Sequence, residues 1–337
     1  MRIRLVLFTV LLLAAPRIGS PYKRIEFFNI DGEKVHLYWE ADKMPVPWFF
    51  SNSTPPRDFS LDAAINATRT SYDTWEALET SGITFQYSGT TNAEPWVFFD
   101  FISTVGFLPE PLPVEGTGIL GATSFIVSLL TGEIVESDIF FNNEVLWSVA
   151  PNGQAGRLDL QSTATHEIGH FLGLDHSALA FMETRGRARF VEEGSAIMFP
   201  VAFPRGTIIG RTLTLDDLTG ASVLYPAGSF ASDTATMSGR VTKNGQGLWG
   251  AHLTTFNPFT EEMIGIFTDE TGNYRVEGLS PGPIVVRVHP ISDGTSPESY
   301  GFDSFIIDLD YEVTFHQGRA EVTAGANTPG VDVAVTP

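Results

Sequence analysis

The spacing of apolar and polar residues changes character along the chain, and each change predicts a different kind of element. From Leu61 an apolar stripe runs through Ile65, Thr68, Tyr72 and Trp75 at steps of four and three. That period places the stripe on one face of a helix. Ser60 stands ahead of it as an N-cap, and the pattern stops near Ser81 and Gly82. Shorter apolar runs at 83–89, 95–103, 118–127 and 136–143 are bounded by turn residues and predict strands. Gly121 is a candidate bulge within the third. Asp159 then caps a second helix that runs through His166 toward Leu172, and Thr214 caps a third over 214–225.

Beyond this point the texture changes. Residues 229–236 are mostly small and polar and read as a linker. From 237 to Pro337 only short alternating runs occur, broken by Gly, Asn and Pro, which predicts an all-β sandwich with no helix. Residues 21–228 predict an α+β domain, and 337 residues suit two domains. At the start, Arg2 and Arg4 precede an apolar run from Leu5 to Ala15. Residues 1–20 therefore read as a secretory signal, too short to span a bilayer comfortably. The expected location is secreted or extracellular, with the periplasm or a cell surface as variants.

Charge and composition narrow the chemistry. The net charge is −20, from 40 acidic and 20 basic residues, which argues against nucleic acid and anionic membranes as partners. Calcium is compatible with this surplus, although no ligand set can be singled out. The chain has no cysteine, so neither a thiolate metal site nor a thiol switch can operate.

Three of the seven histidines fall in "HEIGHFLGLDHS", residues 166–177. On a helix His166 and His170 share one face. Glu167 sits beside the first of them, placed to reach a metal-bound water without binding the metal. Gly173 can leave the helix with a positive φ, which brings His176 round to the same ion. Three neutral imidazoles leave a fourth position open, the arrangement of a catalytic zinc site. A bare HExxH arises by chance in roughly one chain in a hundred of this size, and the added glycine and histidine lower that about a thousandfold.

"HEIGHFLGLDH" resembles the HExxHxxGxxH signature of metzincin metalloproteases. "SAIMFP" (195–200) supplies the methionine turn with Met198, and Ser177, Pro200 and "LTLDDLTGASVLYP" (213–226) look most like the matrixin branch. The resemblance covers roughly residues 35–226. It implies a twisted mixed sheet with long helices, and a zinc endopeptidase acting on protein or peptide substrates. In it His166, His170 and His176 would hold zinc, Glu167 would be the general base and Met198 would pack beneath the ligands. Substrate would pair with the strand near 121–127. Asp216 and Asp217 either brace the methionine turn, as in matrixins, or form an ordinary acidic first helical turn. His176 and Met198 are 22 positions apart, more than is usual for matrixins. The insert 178–194, with Arg185, Arg187 and Arg189 among glutamates, is either a solvated hairpin or a border of the cleft.

"SGRVTKNGQGLWGAHLTTFNP" with "TDETGNYRVEGLSPG" resembles the carboxypeptidase regulatory-like, transthyretin-like sandwich. This domain carries no catalytic constellation. Its expected roles are spacing, stability or attachment to a cell surface or matrix, on a monomer whose first domain closes and works without it. His36, His252, His289 and His316 have no partner spacing. The rival reading is a secreted adhesion or surface-binding protein with a non-catalytic zincin scaffold.

Overall fold

A computed structural model describes residues 8–11, 23–114, 118–180, 182–185, 188–191, 196–291, 295–302 and 306–337. Apart from Phe8–Leu11, the expected signal segment lies outside the described residues. The first half opens with β1 (Phe8–Leu11) and a hairpin of β2 (Glu26–Phe28) and β3 (Lys34–His36). The main sheet then takes β4 (Val46–Ser51), β5 (Phe85–Thr91), β6 (Thr104–Leu108), β7 (Gly121–Ser128) and β8 (Ile134–Asn142), in the order β1-β7-β8-β6-β4-β5. Strands β4, β5, β6 and β8 run parallel, while β7 is antiparallel. Helix α1 (Leu61–Glu76) is capped by Ser60. β9 (Trp147–Ser148) and β10 (Leu158–Asp159) form a short parallel pair before α2 (Leu160–Phe171). β11 (Met182–Arg185) and β12 (Ala188–Val191) pair as a hairpin within the 178–194 insert, and α3 (Leu215–Leu224) closes the half.

The stripe on α1 is what joins helix to sheet. Tyr72 stacks on Trp48 of β4 with ring centroids 4.4 Å apart, and the Trp75 Nε1–H donates to the Thr165 carbonyl of α2 at 2.9 Å. Large aromatics carry most of the apolar area in such a core, and here they also set how α2 lies across the sheet.

The second half is a β-sandwich. One sheet is built around Ala235–Lys243, paired with Asn273–Leu279 and with Val333–Val335. The other runs Met263–Phe267, His252–Phe256, Gly282–His289 and Thr314–Phe315. Each half has its own buried cluster. A third cluster is shared: Ala178 and Phe199 of the first half pack with Phe267, Tyr300, Phe302 and Ile307 of the second.

Several expectations need correction. Residues 95–103 do not form a strand, which begins only at Thr104. Trp96, Phe99 and Phe101 have φ of 74, 69 and 60°, a region that bulky residues enter only when held there. Two buried carboxylates of β8 hold them. Asp138 accepts the amides of Trp96 (2.7 Å) and Thr104 (2.8 Å), and Glu136 accepts that of Phe101 (2.7 Å). Burial pushes the Asp138 carboxyl up to about 8, against the pull of its two amide bonds. The apolar run is thus a loop whose Phe99 and Phe101 face solvent.

Gly121 pairs regularly with Phe141, and the bulge lies instead between Ile126 and Val127. Helix α1 ends at Glu76 rather than near Ser81, because Ser81 enters a turn whose amide bonds Leu78. The stretch read as a linker contains a helical turn, α4 (Phe230–Asp233), and the start of the strand Ala235–Lys243. A further 3-10 turn, Pro297–Tyr300, interrupts the sandwich. His252 and His289 face each other on neighbouring strands with centroids 4.4 Å apart.

Replacing Asp138 with Ala removes the acceptor of the Trp96 and Thr104 amides. The expected loss is about 1–3 kcal/mol of unfolding free energy, read from urea denaturation. An unchanged midpoint would show that the carboxylate does not hold the loop.

Candidate metal centre

Helix α2 is fixed at both ends. Asp159 accepts the Ser162 amide at 2.9 Å and is itself paired with Arg211 at 2.6 Å. At the other end, where the last carbonyls of a helix lack partners, Trp39 Nε1–H donates to Phe171 O (2.8 Å) and Tyr225 O–H to Leu172 O (2.6 Å). Gly173 then leaves the helix at φ +103°, and a Cβ there would lie 2.4 Å from the Leu37 carbonyl. Only glycine satisfies both the angle and the contact.

The turn brings His176 to His166 and His170. The ring centroids are 4.8, 4.8 and 5.3 Å apart. One nitrogen from each ring lies within 4.8 Å of the others, and among the described residues this is the group of its kind. The opposite nitrogens are all engaged. Nδ1 of His166 faces Ile197 O at 2.6 Å, that of His170 faces Leu174 O at 2.8 Å and that of His176 faces Ser299 O at 2.7 Å. A carbonyl only accepts, so each Nδ1 carries the proton and each Nε2 a lone pair. Burial, then a neighbouring histidine, lowers His166 to about 3 and His176 to about 4. These two rings are therefore neutral. Nε2 of His170 and of His176 stand 3.2 Å apart, with no proton to share. Converging lone pairs of this kind suit a soft-to-borderline cation such as zinc.

Glu167 is buried beside them. Thr123 of β7 donates its hydroxyl to Glu167 Oε2 at 2.8 Å. Oε1 points at the strand edge, 3.3 Å from where a Cβ on Gly121 would be. Burial raises this carboxyl to about 7, and the Thr123 hydrogen bond works against the rise. A cleft of about 1060 Å³ opens here, lined by the histidines and Glu167 and by Trp96, Leu120, Gly121, Ile197, Phe199 and Phe203. The outer edge of β7 from Phe125 to Ser128 is paired with β1, so the stretch beside Glu167 is Gly121–Ser124.

Met198 lies beneath the ligands, 2 % exposed, against Gly169 of α2. A Cβ on Gly169 would sit 2.2 Å from the Met198 sulfur. Asp217 accepts the amides of Ile197 (2.9 Å) and Met198 (3.2 Å) and also that of Thr214 at the start of α3. One carboxylate thus serves both the turn and the helix start. Asp216 accepts from Ser177 Oγ (2.7 Å) and from the Gly265 amide of the sandwich (2.8 Å). Asp138 spends both oxygens on backbone amides, and the Asn142 amide group donates to Ile119 O. Thr123, Gly265 and Ser299 were missed by sequence reasoning. Their partners are 44, 49 and 123 positions away, and no local pattern marks them.

A ligand helix across a twisted mixed sheet, a turn at Gly173, a third histidine and a methionine below define a metzincin-type domain. Residues 38–187 match the family model of the matrixins, and residues 236–336 match that of the carboxypeptidase regulatory-like domain. The chain is 39% identical over 89 residues to Metalloendoproteinase 1-MMP of Arabidopsis thaliana, covering 26% of this chain and 20% of that protein. It is 30% identical over 168 residues to mouse Matrix metalloproteinase-16, covering 48% and 26%. It is 28% identical over 186 residues to mouse Stromelysin-1, covering 54% and 32%. The chain therefore spans a third or less of the length of these relatives.

Gly169→Ala should force Met198 or α2 to move and lower stability by about 1–3 kcal/mol. Thermal unfolding of Gly169→Ala, Met198→Ala and the double variant would check it. Strictly additive losses would mean that the two residues do not pack as described.

Proposed function

We propose that the protein is a zinc-dependent endopeptidase, with His166, His170 and His176 as metal ligands and Glu167 as general base. The observation that carries this reading is the set of three Nε2 lone pairs facing one point, with a buried carboxylate next in sequence to the first. Zinc, when bound, would lower the pKa of a water ligand and polarise the scissile carbonyl. Glu167 Oε1 would take the water proton and return it to the leaving amine. Thr123 holds the other oxygen, so the proton moves at one defined atom. A carboxyl raised toward neutrality is better matched to that exchange than an ordinary one.

Substrate would lie extended along Gly121–Ser124, exchanging backbone hydrogen bonds with the edge of β7. Gly121 supports this, since it leaves the edge beside Glu167 bare. Met198 is assigned to support the ligand helix, and Asp217 to brace the turn that carries it. Export is also proposed, from Arg2, Arg4 and the apolar run that follows. Loss of residues 1–20 would free the remaining edge of β7. Among the described residues no helix is long and apolar enough to cross a membrane. A role for the sandwich in surface or matrix attachment stays compatible with this reading.

Glu167→Gln should keep its zinc and fold but lose peptide turnover by about 10²–10⁴-fold. His170→Ala should lose the zinc itself. Metal analysis beside a peptide-library assay, with and without chelator, distinguishes the cases. Stoichiometric zinc with no turnover by the unaltered protein would favour a binding scaffold, and near-normal rates in Glu167→Gln would refute the assigned base.

A further inference from the structure

Two of the three ligand histidines take their carbonyl partner from their own domain, at Leu174 and Ile197. The third does not. His176 Nδ1 reaches the carbonyl of Ser299, in the 3-10 turn Pro297–Tyr300 of the β-sandwich. We infer that the C-terminal domain is a working part of the metal centre, with the Ser299 carbonyl as the group that positions His176 for zinc. This rests on the zinc reading above. It also replaces the expectation that the first domain works alone.

The turn is firmly held. Tyr300 is fully buried, its ring 5.2 Å from Phe267, and its hydroxyl donates to Thr295 Oγ1 at 3.0 Å. The Gly301 amide bonds Glu298 O and the Phe302 amide bonds Pro297 O. Gly301 takes the left-handed conformation at φ 68°. Phe302 packs on Phe267 at 5.0 Å.

The residues flanking His176 are tied to the same domain. Ser177 bonds Asp216, which accepts the Gly265 amide. Ala178 lies in the shared cluster with Tyr300 and Phe302. Asp175 pairs with Lys23 at 3.3 Å, and the Lys23 ammonium lies 4.9 Å from the Phe302 ring. The ligand loop is therefore seated on the sandwich along its length.

The bond matters because an imidazole can carry its proton on either nitrogen. The carbonyl keeps the proton on Nδ1 and the lone pair on Nε2, and it fixes the ring plane. Second partners of metal-bound histidines are worth about 10–100-fold in metal affinity. Ser299 acts through its main chain, so its side chain is not the element to test; the anchor of the turn is.

The test uses the full chain, with zinc affinity measured by competition against a chelating dye. Tyr300→Ala should weaken zinc about 10–100-fold, and Tyr300→Phe should restore it. Val333→Ala opens the separate core of the sandwich and should lower stability while leaving zinc affinity near normal. Hydrogen exchange on the unaltered protein gives a second readout: zinc should slow exchange of the Gly301 and Phe302 amides, because coupling is reciprocal. That measurement decides the matter if Tyr300→Ala does not fold. Unchanged affinity in Tyr300→Ala overturns the inference, as does an equal loss in Val333→Ala or a lack of zinc effect on those amides. Failure of the unaltered protein to bind zinc would instead remove the metal reading itself.

Discussion

Three lone pairs aimed at one point repel each other, and most of the surrounding structure opposes that repulsion. Each ring is held from behind by a carbonyl, and the carbonyls come from three places: the methionine turn, the exit of the ligand helix, and the sandwich. Each place has its own support. Asp217 fixes the turn, Trp39 and Tyr225 secure the helix exit, and Tyr300 anchors the distant turn. The geometry of the centre is thus the sum of three backbone positions more than a property of the histidines.

The same division explains what could be read in advance. Helical period and capping residues located α1 and α2, because the apolar stripe and the Ser60 and Asp159 caps are local features. The spacing within 166–176 showed which side chains could meet, because a helix and one glycine turn determine their relative positions. The run 95–103 was misread for a physical reason. Its composition favours a strand, but its amides are claimed by Asp138 and Glu136, which belong to a strand more than thirty positions later. Local propensity lost to a long-range hydrogen bond that no local pattern announces.

The contact of the sandwich with the centre was invisible in the sequence for a related reason. The sandwich has no metal-binding spacing, and its contact with the centre is made by main-chain atoms: a carbonyl at Ser299 and an amide at Gly265. Main-chain groups are present at every residue, so sequence alone cannot mark the two that matter. The shared apolar cluster is equally quiet, since Phe267, Tyr300 and Phe302 look like ordinary sandwich residues until Ala178 and Phe199 are placed against them.

The separation of His176 from its carbonyl by 123 positions has a consequence in time. A chain is made from its N-terminus at about 5–20 residues per second. All three histidines therefore leave the ribosome about 6–25 s before Ser299 does. During that interval the third ring lacks the Ser299 carbonyl. The third ring meets its carbonyl only after the Pro297–Tyr300 turn has been made and folded, and that delay is written into the order of the sequence.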